Sequence, residues 1–256
     1  MTVNGPTLLK TVNLPGSHTL DVYKKHGGYE ALSIALKKRP DEVIDLVKRS
    51  GLRGRGGAGF PTGTKWGFVP QSTDKPKYLC VNADESEPGA FKDRIICQKD
   101  PHQLIEGALI ASYAIGAGRA YVYIRGEFAF EAQRLRDAIG EARRAGFVGE
   151  NIMGSGFSCE MTATLGAGAY ICGEETGLIE SIEGKRGGPR LKPPFPAIVG
   201  LFGCPTVVNN VETLACVPHI VKHGWEWFAG IGTERNTGPK LYGLSGHVVK
   251  PGVYEA

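Results

Sequence analysis

Apolar residues recur at helical spacing in the first part of the chain. Residues 29–38 and 40–49 each carry an amphipathic pattern, and the second stretch has acids in its first turn and basic residues in its last. Residues 1–28 keep no steady period and are predicted to be an irregular arm. We therefore expect a first unit over residues 1–50, which consists of this arm and its helices.

Short apolar runs then alternate with longer helical patterns. Strands are predicted at 78–81 and 120–124, and helices at 102–115 and 127–144. This alternation predicts an α/β, Rossmann-like fold with a mainly parallel sheet and flanking helices. Because ligands of such sheets bind at the carboxyl ends of the strands, the loops that follow the strands are candidate site loops.

The pattern is less regular in the second half of the chain. A strand pair is predicted to begin within 154–164, and another strand is predicted to end at 170–172. A short helix at 174–183 and a longer one at 210–222 follow from their apolar spacing. Residues 240–256 are predicted to form a strand with a turn.

A glycine-rich stretch over residues 51–66 is the strongest sign of chemistry. It holds six glycines, three cations (Arg53, Arg55 and Lys65) and two aromatic rings (Phe60 and Trp66). Glycines let backbone N–H groups approach phosphate oxygens, the cations supply countercharge, and the rings could lie against a flat ligand. We expect a nucleotide-binding loop, and the alternative is a flexible surface loop.

Two common phosphate motifs do not explain this stretch. Residues 54–59 satisfy G-x-G-x-x-G, and Asp74 stands twenty residues after Gly54. However, a dinucleotide fingerprint should follow a strand, and here a helical pattern precedes it. Lys65 lacks the spacing and the following hydroxyl residue of a Walker loop, so the sequence gives ATP hydrolysis little support.

Composition limits the remaining classes. The chain has 256 residues, 37 of them glycine, and a formal net charge of +4 in which basic clusters are broken by acids. An extended nucleic-acid-binding face is therefore not expected. The six cysteines are scattered without a C-x-x-C pair, which argues against zinc or a complete iron–sulfur site. With no leader pattern and no apolar run near the ~20 residues of a spanning helix, we expect a soluble protein of a reducing compartment.

An acidic loop at 82–94 follows the first predicted strand. Carboxylates there can accept hydrogen bonds from ribose or ribityl hydroxyls and would repel a 2′-phosphate. The loop therefore favours NAD-type over NADP-type nucleotides. The alternative is an acidic turn that faces water.

A third stretch joins 166–177 to a basic, proline-rich loop at 184–196. Glu174 and Glu175 suit a helix start, so they are either ligand contacts or partners of the helix dipole. Lys192 and Phe195 offer a cation and a ring for a flavin or a nicotinamide. A hydrolase is disfavoured because there is no G-x-S-x-G elbow and no carboxylate–histidine cluster.

These three stretches, together with 205–213, closely resemble the flavin-binding, NADH-oxidising subunit of respiratory complex I. The resemblance extends in order over nearly the whole chain and includes 123–127 and 240–246. The same module resembles the diaphorase subunits of NAD-linked hydrogenases and formate dehydrogenases. Those subunits are the alternative, and a non-enzymatic remnant of the family is another.

The resemblance implies FMN and NADH as the cofactor and the nucleotide, with direct hydride transfer and no protein acid, base or metal ligand in this chain. The residues that match the family's flavin-binding positions, including the glycine loop, are Gly54, Arg55, Gly56, Gly57, Lys65, Asn82, Asp84, Glu85, Tyr170, Gly173, Glu174, Val208, Asn209, Asn210 and Thr213. The residues similar to the nucleotide contacts are Phe60, Phe68, Glu87, Glu175, Lys192 and Phe195.

The resemblance also implies the surroundings of the chain. The FMN/NADH domain would cover 51–238, and 239–256 would begin a truncated ubiquitin-like domain. Family members carry a 4Fe-4S cluster on a C-x-x-C-x-x-C motif that this sequence lacks, so the chain is expected to be a fragment of the family unit. Expected partners are other peripheral-arm subunits, above all the small 2Fe-2S subunit, with no nucleic acid and no direct membrane insertion. The expected location is the cytoplasmic side of the bacterial inner membrane.

Overall fold

The computed structural model describes residues 5–256 and contains one four-stranded parallel sheet. Its strands are β1 (Tyr78–Ala83), β2 (Arg119–Ile124), β3 (Glu160–Leu165) and β4 (Thr206–Asn210). They lie in the order β3-β2-β1-β4, with Tyr78 opposite Arg119 and Thr206. The α/β fold with a parallel sheet is thus confirmed.

Ten helices surround the sheet in the described residues. They are α1 (Leu20–Lys25), α2 (Glu30–Ala35), α3 (Pro40–Arg49), α4 (Thr62–Gly67), α5 (Asp93–Lys99), α6 (Pro101–Ile115), α7 (Ala129–Arg144), α8 (Glu175–Ile182), α9 (Val211–His223) and α10 (Trp225–Ala229). Short 3₁₀ turns lie at Ile152–Gly154, Tyr170–Gly173 and Leu201–Gly203. Two small hairpins follow, β5 (Gly232–Thr233) with β6 (Asn236–Thr237), and β7 (Leu241–Leu244) with β8 (Gly252–Glu255).

The strands separate two apolar cores by their alternating side chains. Leu79 and Val81 of β1 face the large core that also contains residues of α6 and α9. Cys80 between them faces a smaller core with Leu178 and Ile179 of α8. Because successive side chains of a strand point to opposite faces, both faces of β1 are covered by helices.

One buried carboxylate holds the N-terminal arm on this core. Glu106 in α6 accepts the backbone N–H groups of Tyr29 and Leu32 at 2.9 and 2.8 Å. It also accepts the Tyr23 hydroxyl at 2.5 Å. Burial raises the pKa of Glu106, and these donors oppose that rise. Glu106 thereby supplies the partners that the start of α2 needs and fixes both short helices.

The predicted elements before residue 150 are confirmed within one to four residues at each end, except that α1 lies inside the arm predicted to be irregular. Residues 1–4 of that arm lie outside the described residues. Only one strand forms near 154–164, and the prediction of a strand end at 170–172 is wrong because the chain forms a 3₁₀ turn there. Strand β4 was missed, since its five residues merge with the helix that follows. The divisions at residues 50 and 238 remain a prediction.

In the described residues, 5–256, no helix combines the length and the apolar character needed to cross a bilayer.

The crossing of α6 and α9 depends on a glycine. A Cβ built on Gly107 of α6 would lie 2.0 Å from the Leu214 carbonyl oxygen of α9, whereas one on Gly140 of α7 would have only the Arg144 side chain within 4 Å, at 3.5 Å. We expect Gly107→Ala to lower the free energy of unfolding by about 1–3 kcal/mol in spite of its better helix propensity. Gly140→Ala should raise it by up to about 1 kcal/mol. Urea unfolding of both variants checks this, and equal effects would contradict the close approach.

Candidate functional site

The glycine loop closes on itself before α4. The Gly54 N–H donates to the Phe60 carbonyl, and the Thr62 N–H donates to the Leu52 carbonyl, both at 2.9 Å. Gly57 inside the loop has a φ of +113°, which favours glycine. The loop is therefore a defined turn rather than a flexible surface loop.

This turn is pressed against the carboxyl end of β4 and the start of α9. A Cβ on Gly56 would lie 3.2 Å from the Asn210 Cβ, so a side chain there would crowd the helix start. The Arg55 N–H donates to Thr213 Oγ1 at 2.8 Å. By contrast, the N–H groups of Gly56 and Gly57 have no acceptor among residues 5–256. Such amides in a glycine turn are suited to an anion such as a phosphate.

The Arg55 side chain lies behind the loop. Its guanidinium donates to the Thr237 carbonyl at 2.6 Å and to the Pro239 carbonyl at 3.3 Å. The side chain is 6% exposed and has Glu212 as its carboxylate neighbour. Arg53, in contrast, is exposed and donates to the Gly59 carbonyl at 3.0 Å.

The acidic loop after β1 is ordered by its own carboxylates. Glu85 accepts the N–H groups of Lys92 and Asp93, each at 2.8 Å. The Arg94 N–H donates to the other oxygen of Glu85 at 3.1 Å. Burial raises the pKa of Glu85, and the nearby Asp93 raises it further. This carboxylate therefore caps α5 from within the protein.

Asn82 and Asp84 join this loop to the 3₁₀ turn before α8. Asn82 donates to the Gly173 carbonyl at 2.8 Å and accepts the Asp84 N–H at 3.1 Å. Ser86 donates to Asp84 Oδ2 at 2.7 Å. Burial raises the pKa of Asp84, which keeps a partly buried carboxyl group at the edge of the sheet.

Two lysines share the carboxylates at the start of α8. Lys65 of α4 lies 2.7 Å from Glu175, and Lys192 lies 2.8 Å from the other oxygen of the same carboxylate. Lys192 also contacts Glu174 at 3.0 Å, while Glu174 caps α8 by accepting the Gly177 N–H. Burial raises the pKa of Glu175, but Lys65 and Lys192 lower it more, and the net pKa lies below its ordinary value. We call Lys65, Glu174, Glu175 and Lys192 the charge cluster.

Aromatic rings of the candidate loops are open to solvent. Phe60, Phe68 and Phe195 are 46, 53 and 58% exposed, and the centroids of Phe60 and Phe68 are 6.0 Å apart. Tyr170 is also exposed and donates to Glu87 at 2.6 Å. These rings and Glu87 remain accessible for a planar ligand.

Other candidate residues are inside. The prediction that Trp66 offers a ligand-facing ring is wrong, because Trp66 is fully buried and donates to Asn209 Oδ1 at 2.8 Å. Val208 belongs to the smaller core. Asn210 donates to Asp93 at 2.6 Å and also caps α9. Their polar groups hold the loops together around the cleft.

The sequence reasoning missed three charged residues of the site's frame. Lys92 lies 2.7 Å from the buried Glu212, and Arg125 donates to the Glu85 carbonyl at 3.2 Å. Lys92 and Glu212 were visible only as members of acidic or helical stretches, because their partners are distant in sequence. Within residues 5–256, no group of three or more His, Cys, Asp or Glu side chains could hold a metal ion.

A glycine turn with open amides, an acidic loop and a charge cluster meet at the carboxyl edge of a parallel sheet. This arrangement defines a nucleotide- or flavin-binding α/β protein. The family model described as "Nuo51 FMN-binding domain" matches residues 47–219, and the chain belongs to this family.

Relatives in two bacteria match nearly the whole chain. It is 62% identical over 251 residues to an F-type NADH-quinone oxidoreductase subunit of Rhizobium meliloti (strain 1021), covering 98% of this chain and 60% of that protein. It is 61% identical over 248 residues to the F-type NADH-quinone oxidoreductase subunit of Aquifex aeolicus (strain VF5), covering 97% and 58%. The chain thus spans about three fifths of the length of these curated relatives.

A solved structure shares the fold. A chain of an NAD+-reducing NiFe hydrogenase in the H2-reduced state superposes with a TM-score of 0.81 and 41% identity. The match covers 98% of this chain and 41% of the hydrogenase chain. The resemblance drawn from the sequence motifs is therefore confirmed at the level of the family.

The charge cluster predicts how Glu175 titrates. Its carboxylate has a lowered pKa in the folded protein, so its contribution to stability is present above the pKa of the unfolded chain and is lost as pH falls through the folded pKa. In Lys192→Met the pKa of Glu175 should rise, and the acid loss of stability should begin at higher pH. Carboxyl NMR titration and thermal unfolding against pH measure both. Lys185→Met is the control, because Lys185 pairs with Glu180 and Glu183 instead.

Proposed function

We propose that the chain is the FMN- and NADH-binding module of a respiratory NADH:quinone oxidoreductase, in which hydride passes from NADH to FMN at the point of electron entry. The observation that carries the proposal is the glycine turn, whose free amides lie at the same sheet edge as the charge cluster and the exposed rings. The family description and the names of the relatives support it.

The residues present fit an FMN group. Gly56 leaves no room for a side chain where the turn meets Asn210, and its amide is without a protein partner in the described chain. Lys65 adds a cation at the head of the same cleft. The residues proposed to hold FMN, through backbone or side chain, are Gly54, Arg55, Gly56, Gly57, Lys65, Asn82, Asp84, Glu85, Tyr170, Gly173, Glu174, Val208, Asn209, Asn210 and Thr213.

The open rings and acids fit a nicotinamide nucleotide. Rings bind flat groups by stacking, and carboxylates accept hydrogen bonds from ribose hydroxyls while repelling a 2′-phosphate. The acids of the cleft therefore favour NADH over NADPH. The residues proposed to contact the nucleotide are Phe60, Phe68, Glu87, Glu175, Lys192 and Phe195.

The chain's own part in the reaction is positioning. FMN, when bound, supplies the ring that accepts hydride. Lys65 and Lys192 hold Glu175 in one orientation, and Asn82 fixes the two site loops at a constant separation through Gly173. Since no side chain has to transfer a proton, distance and stacking are what these residues contribute.

Two further assignments follow from the relatives. The alternative function is the diaphorase module of an NAD-linked hydrogenase or formate dehydrogenase, and the NAD+-reducing hydrogenase fold match favours the hydrogenase form. In either case we propose work within a multi-subunit complex, with the small 2Fe-2S subunit as the direct partner and a position on the cytoplasmic side of the bacterial inner membrane. A remnant without flavin is the non-enzymatic alternative.

Anaerobic absorption spectroscopy tests the proposed function directly. The purified chain is mixed with FMN, freed of excess flavin, and given NADH or NADPH in separate cuvettes. We expect retained flavin absorption that NADH bleaches and NADPH leaves unchanged. Retained flavin without bleaching would remove the nucleotide site from the proposal, and loss of all flavin would favour the remnant.

Glu87 provides a sharper test of the nucleotide site. In Glu87→Gln the amide oxygen can still accept the Tyr170 hydroxyl, so the change removes charge and little else. We expect the affinities for NADH and NAD to change severalfold in titration calorimetry of the FMN-loaded protein. Glu150→Gln, at an exposed residue before β3, should leave both unchanged. Unaltered binding in Glu87→Gln would refute this role of Glu87.

A further inference from the structure

Behind the glycine turn lies a buried pair of opposite charges that the nucleotide chemistry does not use. We propose that Arg55 and Glu212 are positioning residues that clamp the glycine turn to the segment 237–241, so that this segment controls flavin affinity without touching the flavin. The proposal rests on the proposed function, because the flavin is its ligand. It assigns the Arg55 side chain to the frame and leaves ligand contact to the backbone of the turn.

The Arg55 side chain points away from the open face of the turn. Its fork reaches the Thr237 and Pro239 carbonyls at 2.6 and 3.3 Å, and its Nε atom lies 3.8 Å from Glu212 Oε1. That Nε atom is buried and has no hydrogen-bond partner within residues 5–256. A planar guanidinium can hold two carbonyls of one segment at once, which a lysine ammonium cannot reproduce in the same geometry.

Glu212 completes the clamp from the first turn of α9. Its carboxylate is 1% exposed, accepts the Leu241 N–H at 3.0 Å and pairs with Lys92 at 2.7 Å. Burial raises the pKa of Glu212, and Lys92 opposes the rise. A buried charge needs such partners, so Glu212 joins the acidic loop, α9 and the start of β7 in one cluster.

The same two residues reach the turn through the backbone. The Arg55 N–H donates to Thr213, which is the residue after Glu212. Gly56, the next residue of the turn, packs on Asn210. A shift of Arg55 or Glu212 therefore moves the amides that face the cleft.

The segment is also anchored at its far side. The hairpin β7–β8 ends at Glu255, whose carboxylate accepts the N–H groups of Thr7 and Leu9 at 2.7 and 2.9 Å. In addition, Gly243 of β7 lies against Phe91, since a Cβ there would be 2.9 Å from the ring. The carbonyls that Arg55 grips are thus part of a held element, which a clamp requires.

The test compares Arg55→Lys, Glu212→Gln and the double variant with the natural chain. Arg53→Lys is the matched control, because Arg53 is exposed in the same turn. FMN dissociation constants are measured by flavin fluorescence quenching, and amide hydrogen exchange over 237–241 is measured on flavin-free protein. We expect each single variant to bind FMN about tenfold more weakly, with faster exchange over 237–241. The double variant should be little worse than either single one, because both break the same clamp.

Each contrary result has a definite meaning. Weaker FMN binding in Arg55→Lys with unchanged exchange over 237–241 and unchanged FMN binding in Glu212→Gln would make Arg55 a direct ligand and overturn the clamp. Additive losses in the double variant would overturn the pair. If the natural chain holds no FMN, the proposed function fails, while the exchange comparison still decides whether the clamp exists. Circular dichroism of every variant shows whether a loss comes from unfolding instead, and an unfolded Glu212→Gln is replaced by Glu212→Asp, from which the same shortened contact and the same outcomes are expected.

Discussion

The common direction of the four strands is the constraint on which the rest depends. A parallel sheet needs a helical connection between neighbouring strands, and it must be covered on both faces. Those connections return every strand end to one edge, where residues from 82 to 210 become neighbours. The cleft is therefore a result of topology, and its loops need only local chemistry to complete it.

Charge burial at this edge follows one rule throughout. Carboxylates that leave water find several donors, as Glu85 does at α5 and Glu106 does at α2. Each of them replaces lost hydration by backbone N–H groups of a helix start. The polar residues nearest the cleft consequently hold the frame, and the ligand is left with amides, rings and the charge cluster.

The sequence was informative where chemistry is local and weak where it depends on distant partners. The glycine turn, the strand that follows it and the acidic loop were all predictable, because glycine spacing and apolar runs act within a few residues. Trp66 was predicted wrongly since its burial is set by Asn209 on β4, far along the chain. The 3₁₀ turn at Tyr170–Gly173 looked like a strand end because its residues are apolar and branched. The direction of the Arg55 side chain depends on carbonyls at Thr237 and Pro239, far along the chain, which no local pattern contains.

The bond between Trp66 and Asn209 has a consequence for how such a sequence can diverge. An indole N–H buried without an acceptor, or a buried amide oxygen without a donor, leaves an unsatisfied polar group. Replacement at either position alone is therefore penalised, while a joint change to two apolar residues of similar volume is tolerated more easily. Positions 66 and 209 should drift as a pair, and natural variation can reach the back wall of the cleft only through that coupled step.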